Sequence, residues 1–112
     1  MKTLRNYVVW YPQTNRIKVG VTSNFKERLK YYRQESARHD LGYVGGEALA
    51  PLPADLARCI EADICRALKP GAIPGHREWF LGDGNTYIAF VEMTKRMHAE
   101  LTAVMNGEGE HA

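Results

Sequence analysis

Asn6-Tyr7-Val8-Val9-Trp10-Tyr11, then Pro12-Gln13-Thr14-Asn15, then Arg16-Ile17-Lys18-Val19-Gly20-Val21: two strand-forming runs joined by four turn-forming residues. The first run is rich in β-branched and aromatic residues, which suit a pleated surface. The second alternates polar and apolar residues with the period of a strand. Pro, Asn and Thr between them favour a turn. The segment predicts a β-hairpin with a four-residue loop.

Centring the loop on Pro12 to Asn15 sets the register. Tyr11 then faces Arg16, Val9 faces Lys18, and Tyr7 faces Gly20. Val8 and Trp10 share the core face with Ile17, Val19 and Val21. A slip of one residue would bury Lys18, so the apolar pattern defends the pairing. Tyr7 and Lys18 fall on the opposite face as diagonal neighbours, roughly 7–8 Å apart. Gly20, opposite the Tyr7 ring, leaves room beside it.

Working outward, Asn24 followed by Glu27 predicts a helix start with a reciprocal capping box. Phe25, Leu29 and Tyr32 form its apolar stripe, to about Gln34, and residues 35–40 are expected to be a loop. Leu41 to Leu49 is expected as a third strand, interrupted by Gly45-Gly46. Pro51 and Pro53 introduce a helix over Ala54 to Leu68. Leu56, Ile60, Ile64 and Leu68 are its buried face, and Lys69-Pro70-Gly71 is its stop. A loop over 70–77 and the Glu78-Trp79-Phe80 segment lead to a last helix capped near Asp83. Its stripe is Tyr87, Phe90 or Val91, Thr94, Met97, Leu101 and Val104. The predicted fold is α/β (α+β), a small central antiparallel three-stranded sheet flanked by about three helices. It occupies one domain over residues 1–106, with an acidic, disordered tail over 107–112.

The chain has 112 residues, 45% of them hydrophobic and 25% charged, ordinary values for one modest globular core. No apolar run approaches the roughly 20 residues that span a bilayer, and no signal-peptide core follows Met1. No membrane association and a cytoplasmic location are therefore expected. Cys59 and Cys65 are six residues apart in a helix, a rotation of about 600°, so they point in different directions and form no disulfide.

The net charge of +2 conceals an asymmetry. Up to Gln34 there are eight basic residues and one acidic residue, a net +7; the remainder carries seven basic and twelve acidic, a net −5. A basic N-terminal third interleaved with Tyr and Trp suits a polyanionic partner. Arg5, Arg16, Lys26, Lys30 and Arg33 are candidate nucleic-acid contacts, and His76-Arg77 a further one. Two more residues sit where apolar stripes meet solvent. Arg28 flanks the Phe25–Leu29 stripe and can lean over the sheet edge. Glu61 follows Ile60 and borders the core, where a carboxylate needs a cation or donor. An Arg28–Glu61 ion pair would meet that need without further function.

Taken together these positions resemble the GIY-YIG nucleases, over roughly residues 5 to 80. Tyr7 matches the tyrosine of the first motif half, although Arg5 and Asn6 stand where the family has Gly and Ile. Lys18-Val19-Gly20 matches the second half, with lysine in place of tyrosine. Thr22 to Leu29 resembles the segment leading to the essential arginine, here Arg28. Glu61 falls where the metal-binding glutamate stands, and Glu78-Trp79-Phe80 resembles the ending of a short phage and bacterial branch. Cys65 stands where that branch often has histidine. Asn85 is the candidate for the family's late asparagine.

The resemblance implies an α/β module that hydrolyses phosphodiester bonds, DNA before RNA. Glu61 would hold one Mg²⁺ (or Mn²⁺), which usually keeps several waters and takes a substrate phosphate oxygen. Arg28 would bind the phosphate, and Tyr7 and Lys18 would activate water, making Tyr7, Lys18, Arg28 and Glu61 the expected catalytic set. A lysine serves as base only where nearby positive charge favours its neutral form, which Arg28 and a divalent ion would do. Trp79 and Phe80 read as core plugs, and no zinc-like spacing joins the histidines to the cysteines. Two other readings remain at this point: a nucleic-acid-binding module that keeps the fold without cutting, and a protein-interaction adaptor using the acidic helices.

Overall fold

The computed structural model describes residues 2–67, 72–73 and 76–107; the side chains of 72–73 and 76–78 are outside that description. The elements in order are β1 (Thr3–Tyr11), β2 (Arg16–Thr22), α1 (Phe25–Arg38), β3 (Gly45–Ala48), β4 (Leu52–Pro53), α2 (Ala54–Ala67), β5 (Ala72–Ile73), β6 (His76–Leu81) and α3 (Gly84–Met105). The class is mixed α and β, with three helices on an antiparallel sheet.

The hairpin has the register its apolar pattern demands: Tyr7 opposite Gly20, Val9 opposite Lys18, Tyr11 opposite Arg16. The sheet is larger than the three strands expected. It has six strands in the order β3-β1-β2-β6-β5, with β4 also pairing β1. Glu78-Trp79-Phe80 is not a lead-in to a helix but the middle of β6, which pairs β2 through Arg16–Leu81, Ile17–Phe80 and Lys18–Trp79. Part of the loop expected over 70–77 is likewise strand. β3 is shorter than the 41–49 expected, and its glycine pair is paired rather than bulged, Gly46 lying opposite Val9. A Cβ on Gly46 would overlap the Val8 carbonyl, so β3 can approach β1 here only as glycine.

The central strand is buried on both faces. On one side Leu4, Val8, Ile17, Val19 and Phe80 pack with Ile60 and Ile64 of α2 and Phe90 and Val91 of α3. On the other, Tyr7, Val9 and Tyr11 pack with Tyr32 of α1 and with Val44. A continuous Tyr-Val-Val-Trp-Tyr run is what two-sided burial requires. The architecture is therefore helix on sheet on helix pair, and each fully buried aliphatic or phenyl group contributes about 1.5–3 kcal/mol.

Local signals explain the helix ends. The Asn24 side chain accepts the Glu27 N–H at 3.2 Å. The reciprocal half of the expected box is replaced, since the Asn24 N–H donates to the Thr22 hydroxyl at 3.1 Å. α1 runs one turn past Gln34, because Ser36 is buried and its hydroxyl donates to the Gly42 carbonyl. In α2 the buried residues are Ala57, Ile60 and Ile64; Leu56 is half-buried, and Leu68 and the Lys69–Gly71 stop lie outside the described residues. Asp83 caps α3 as expected, accepting the Thr86 N–H at 3.0 Å. That bond, and then the Thr86 hydroxyl, hold the Asp83 carboxyl below its usual range. Phe90, Val91 and Thr94 are buried, whereas Val104 is exposed. The tail beyond Gly107 lies outside the described residues, and Cys59 and Cys65 are not bonded to each other. Among the described residues no helix is long and apolar enough to cross a membrane.

Candidate active site

The described ladder between β2 and β6 ends at Lys18–Trp79. A cleft lined by residues of β1, β2, α1, α2 and β6 lies beside it, with a volume of about 1160 Å³. Its floor is Tyr7, Tyr11, Lys18 and Gly20 from the hairpin. The α1 wall carries Arg28, Tyr31, Tyr32 and Glu35; the α2 wall carries Arg58, Glu61 and Cys65. All four residues expected to be catalytic, Tyr7, Lys18, Arg28 and Glu61, line this one cleft.

Each is delivered by a different element for a local reason. Tyr7 points from β1 toward α1 by the strand's alternation, is 4% exposed, and meets the Tyr32 hydroxyl at 2.6 Å. Gly20 makes its position possible, since a Cβ there would fall inside the Tyr7 phenol. Lys18, on the same sheet face, lies with its ammonium 5.6 Å from the Trp79 ring centroid, a cation–π distance. Arg28 is exposed on the first turns of α1. Glu61 follows the core residue Ile60 and is half-buried at the cleft margin. Asn6, beside Tyr7 but pointing to the opposite face, is 2% exposed and donates its amide to the Ala57 carbonyl at 2.8 Å. Ala57 precedes Glu61 by one helical turn, so this bond ties β1 to the part of α2 that carries the carboxylate.

The cleft's electrostatics favour an anion. Among the described residues Arg16, Lys18, Arg28 and Arg58 face Glu35 and Glu61, four cations against two carboxylates. Burial, and then the neighbouring Tyr32, Tyr31 and Glu35, push the Tyr11 phenol up to about 12.

The basic residues named from composition divide. Arg16 reaches the cleft. Lys26, Lys30 and Arg33 are exposed on α1 outside it, and the Arg33 Nε donates to the Val44 carbonyl at 3.1 Å. Arg5 is exposed and donates to the Leu49 carbonyl at 3.4 Å. The side chains of His76 and Arg77 lie outside the described residues. Asn85 is exposed on the first turn of α3 and is not a lining residue. Phe80 is a core plug as expected, fully buried against Phe90. Trp79 is not: it is half-buried on the α1 side, packs on Tyr11 and Tyr32, and lines the cleft.

The fold, the cleft and its charge bear on ancestry, and residues 6–95 match the description of the T5orf172 domain. The chain belongs to the T5orf172 domain family. This is a GIY-YIG-like, nuclease-associated fold of phage and bacteria. No curated protein and no solved structure matches the chain.

Every lining residue of the cleft falls within the stretch that matches the T5orf172 domain. Arg58 and Glu35 were not singled out by sequence reasoning, Trp79 was read as a core plug, and Tyr31 was named only among the aromatics of the basic N-terminal third. Arg58 precedes Glu61 by three positions on an amphipathic helix, where an exposed arginine reads as ordinary surface. The available signal was that one-turn spacing, which puts both on one side of α2. Among the described residues no group of three or more His, Cys, Asp and Glu is arranged to hold a metal. The described carboxylates of the cleft, Glu35 and Glu61, therefore do not make a zinc cage. They do suit a hard divalent ion held by one or two carboxylates, water and a substrate phosphate.

Proposed function

We propose that this T5orf172 domain is a metal-dependent endonuclease that hydrolyses nucleic-acid phosphodiester bonds, acting on DNA. The reading extends to the GIY-YIG branch with a Lys-Ile/Val-Gly second motif half and a Glu-Trp-Phe ending, and takes residues 1–106 as the catalytic unit. What supports it is one observation. Tyr7, Lys18, Arg28 and Glu61 come from β1, β2, α1 and α2 and line a single cleft that carries an excess of positive charge.

In this reading Arg28 binds the non-bridging oxygens of the scissile phosphate, because a guanidinium matches that geometry and offsets the charge that grows there. Lys18 and Tyr7 act together as the base that takes the proton of the attacking water. Tyr7 orients that water, and its own hydroxyl is oriented by Tyr32 at 2.6 Å. The water oxygen bonds to phosphorus as the bond to the leaving oxygen breaks in line. Glu61 would hold Mg²⁺ or Mn²⁺. When bound, the ion supplies Lewis-acid charge at the phosphate oxygens. Asn6 keeps Glu61 in place over β1 through Ala57.

The test is cleavage of a labelled plasmid and a labelled oligonucleotide with Mg²⁺ and with Mn²⁺. The wild type is expected to give products that a chelator abolishes. Glu61→Ala and Arg28→Ala should each slow cleavage by about 10²–10³-fold, the usual effect of deleting one transition-state contact. Full activity in both variants would overturn the assignment. Salt-dependent binding with no products under either ion would leave a binding-only member of the same fold.

A further inference from the structure

The wall that α1 contributes to the cleft has two chemistries in sequence. Arg28, Tyr31 and Glu35 all line it, at the three- and four-residue spacings of one helix face. Arg28 and Tyr31 are one turn apart, about 4.5 Å along the helix axis. Tyr31 is 52% exposed. Its ring stands edge-on to Tyr32 at 5.7 Å, and Tyr32 is in turn held by Tyr7 and Trp79. An exposed aromatic is thus braced by a buried aromatic cluster, one helical turn from the guanidinium of the site.

Scattered exposed aromatics are ordinary, and Tyr43, 63% exposed outside the cleft, is one. Tyr31 differs because it stands inside a cleft whose cations come from β2, α1 and α2. Cations tracking a phosphate backbone beside an aromatic ring form the arrangement that binds unpaired nucleotides. A base inside a perfect duplex has both faces covered by its neighbours. Only an unpaired base, in a single strand or turned out of a duplex, can offer a face to such a ring.

We propose that the cleft accepts an unpaired nucleotide, with its base stacked on Tyr31 and an adjoining phosphate on Arg28. The proposal deepens the nuclease reading and rests on it for the role of Arg28. It names the substrate class of that site: single-stranded DNA, or duplex DNA with an extrahelical nucleotide, in preference to perfect duplex.

The experiment measures binding by fluorescence anisotropy in a chelating buffer, so that no cleavage intervenes. Three labelled DNAs of one sequence are used: a single strand, a perfect duplex, and a duplex with one bulged nucleotide. The wild type is expected to bind the single strand, the bulged duplex or both more tightly than the perfect duplex. The DNA preferred identifies the source of the unpaired base. Tyr31→Ala should weaken the preferred DNA by about 5- to 150-fold, the range supplied by one base stacked on one ring. Tyr31→Phe, which keeps the ring, should stay within about twofold of wild type, and Tyr43→Ala should change nothing, because it removes an aromatic outside the cleft. Equal affinity for all three DNAs, or a Tyr31→Ala effect that is absent or equal across them, overturns the proposal. Cleavage assays separate it from the nuclease reading. Tyr31-dependent binding with no products supports the proposal while that reading fails. Arg28-dependent cutting of perfect duplex that ignores Tyr31 leaves the nuclease reading standing and overturns the proposal.

Discussion

The two faces of the sheet are built from the same strands and do different work. The face toward α2 and α3 is aliphatic and phenyl, with Ile17, Val19, Ile60, Ile64 and Phe80 at its centre. The face toward α1 is mostly tyrosine, with Tyr7, Tyr11 and Tyr32 buried side by side and Trp79 beside them. The first excludes water and asks nothing more of its atoms. The second gives the same exclusion but keeps a hydroxyl on each tyrosine, so buried surface also supplies donors and acceptors at the floor of a cleft. The contrast shows how a small domain can place a polar site against its own core. Stability comes from one face, and the other gives up some packing freedom to position chemistry.

The comparison is open to four tests, taken from the largest effect downward. Phe80→Ala should cost about 3–5 kcal/mol in urea unfolding, the usual range for deleting a buried phenyl, while folded protein at low temperature still binds DNA. A loss below about 1.5 kcal/mol, the cost of a mild core swap, would mean the aliphatic face is not the stabilising one. Gly20→Ala puts a methyl into the Tyr7 phenol. It should cost about 1–3 kcal/mol, as overpacking does, and move the Tyr7 ring resonances in NMR spectra. Unmoved resonances would show that the cleft floor can yield freely.

Tyr32→Phe removes the hydroxyl that meets Tyr7 at 2.6 Å. A loss of about 0.5–1.5 kcal/mol in urea unfolding is expected, and none at all would deny the pair a structural role. The smallest effect is at high pH. Tyr11 on the α1 face and Tyr87 on the α3 face are each pushed up to about 12, mainly by burial. A phenol ionises near 10 when the chain unfolds. Each therefore contributes stability that is complete below pH 10 and lost as pH rises from 10 toward 12. Tyr11→Phe and Tyr87→Phe should each flatten that decline in urea titrations across this window. Flattening by only one would show that burial does not act alike on the two sides.

The hairpin was legible because its information is local. The alternation of Ile17, Val19 and Val21 around Lys18 and Gly20, with a four-residue turn, permits one register. The starts of α1 and α3 were legible for the same reason, since Asn24 and Asp83 cap helices within three residues. β6 was not, because Trp79-Phe80-Leu81 is held as a strand by pairing with Arg16-Ile17-Lys18, some sixty positions away in the chain. The end of α1 was also hidden. Glu35 to Arg38 look polar enough for a loop, and only the Gly42 carbonyl, brought back by the turn, explains a helical Ser36. Of the site, Lys18, Arg28 and Glu61 each break or border a periodic apolar stripe, but they and Tyr7 were grouped by their resemblance to the GIY-YIG pattern. Arg58 and Tyr31 break none. Their relevance comes from α1 and α2 lining one cleft, and that is a tertiary property.

The missing side chain at Gly20 has a genetic consequence. Position 20 and position 7 form a single unit, in which the larger ring at one is tolerated only because the other has nothing. An alanine at 20 is harmful while Tyr7 is present and close to silent once Tyr7 is itself shortened, so the two substitutions are strongly non-additive. Drift at either site is constrained by the other, and a chain can leave this Tyr–Gly pairing only by changing the tyrosine first.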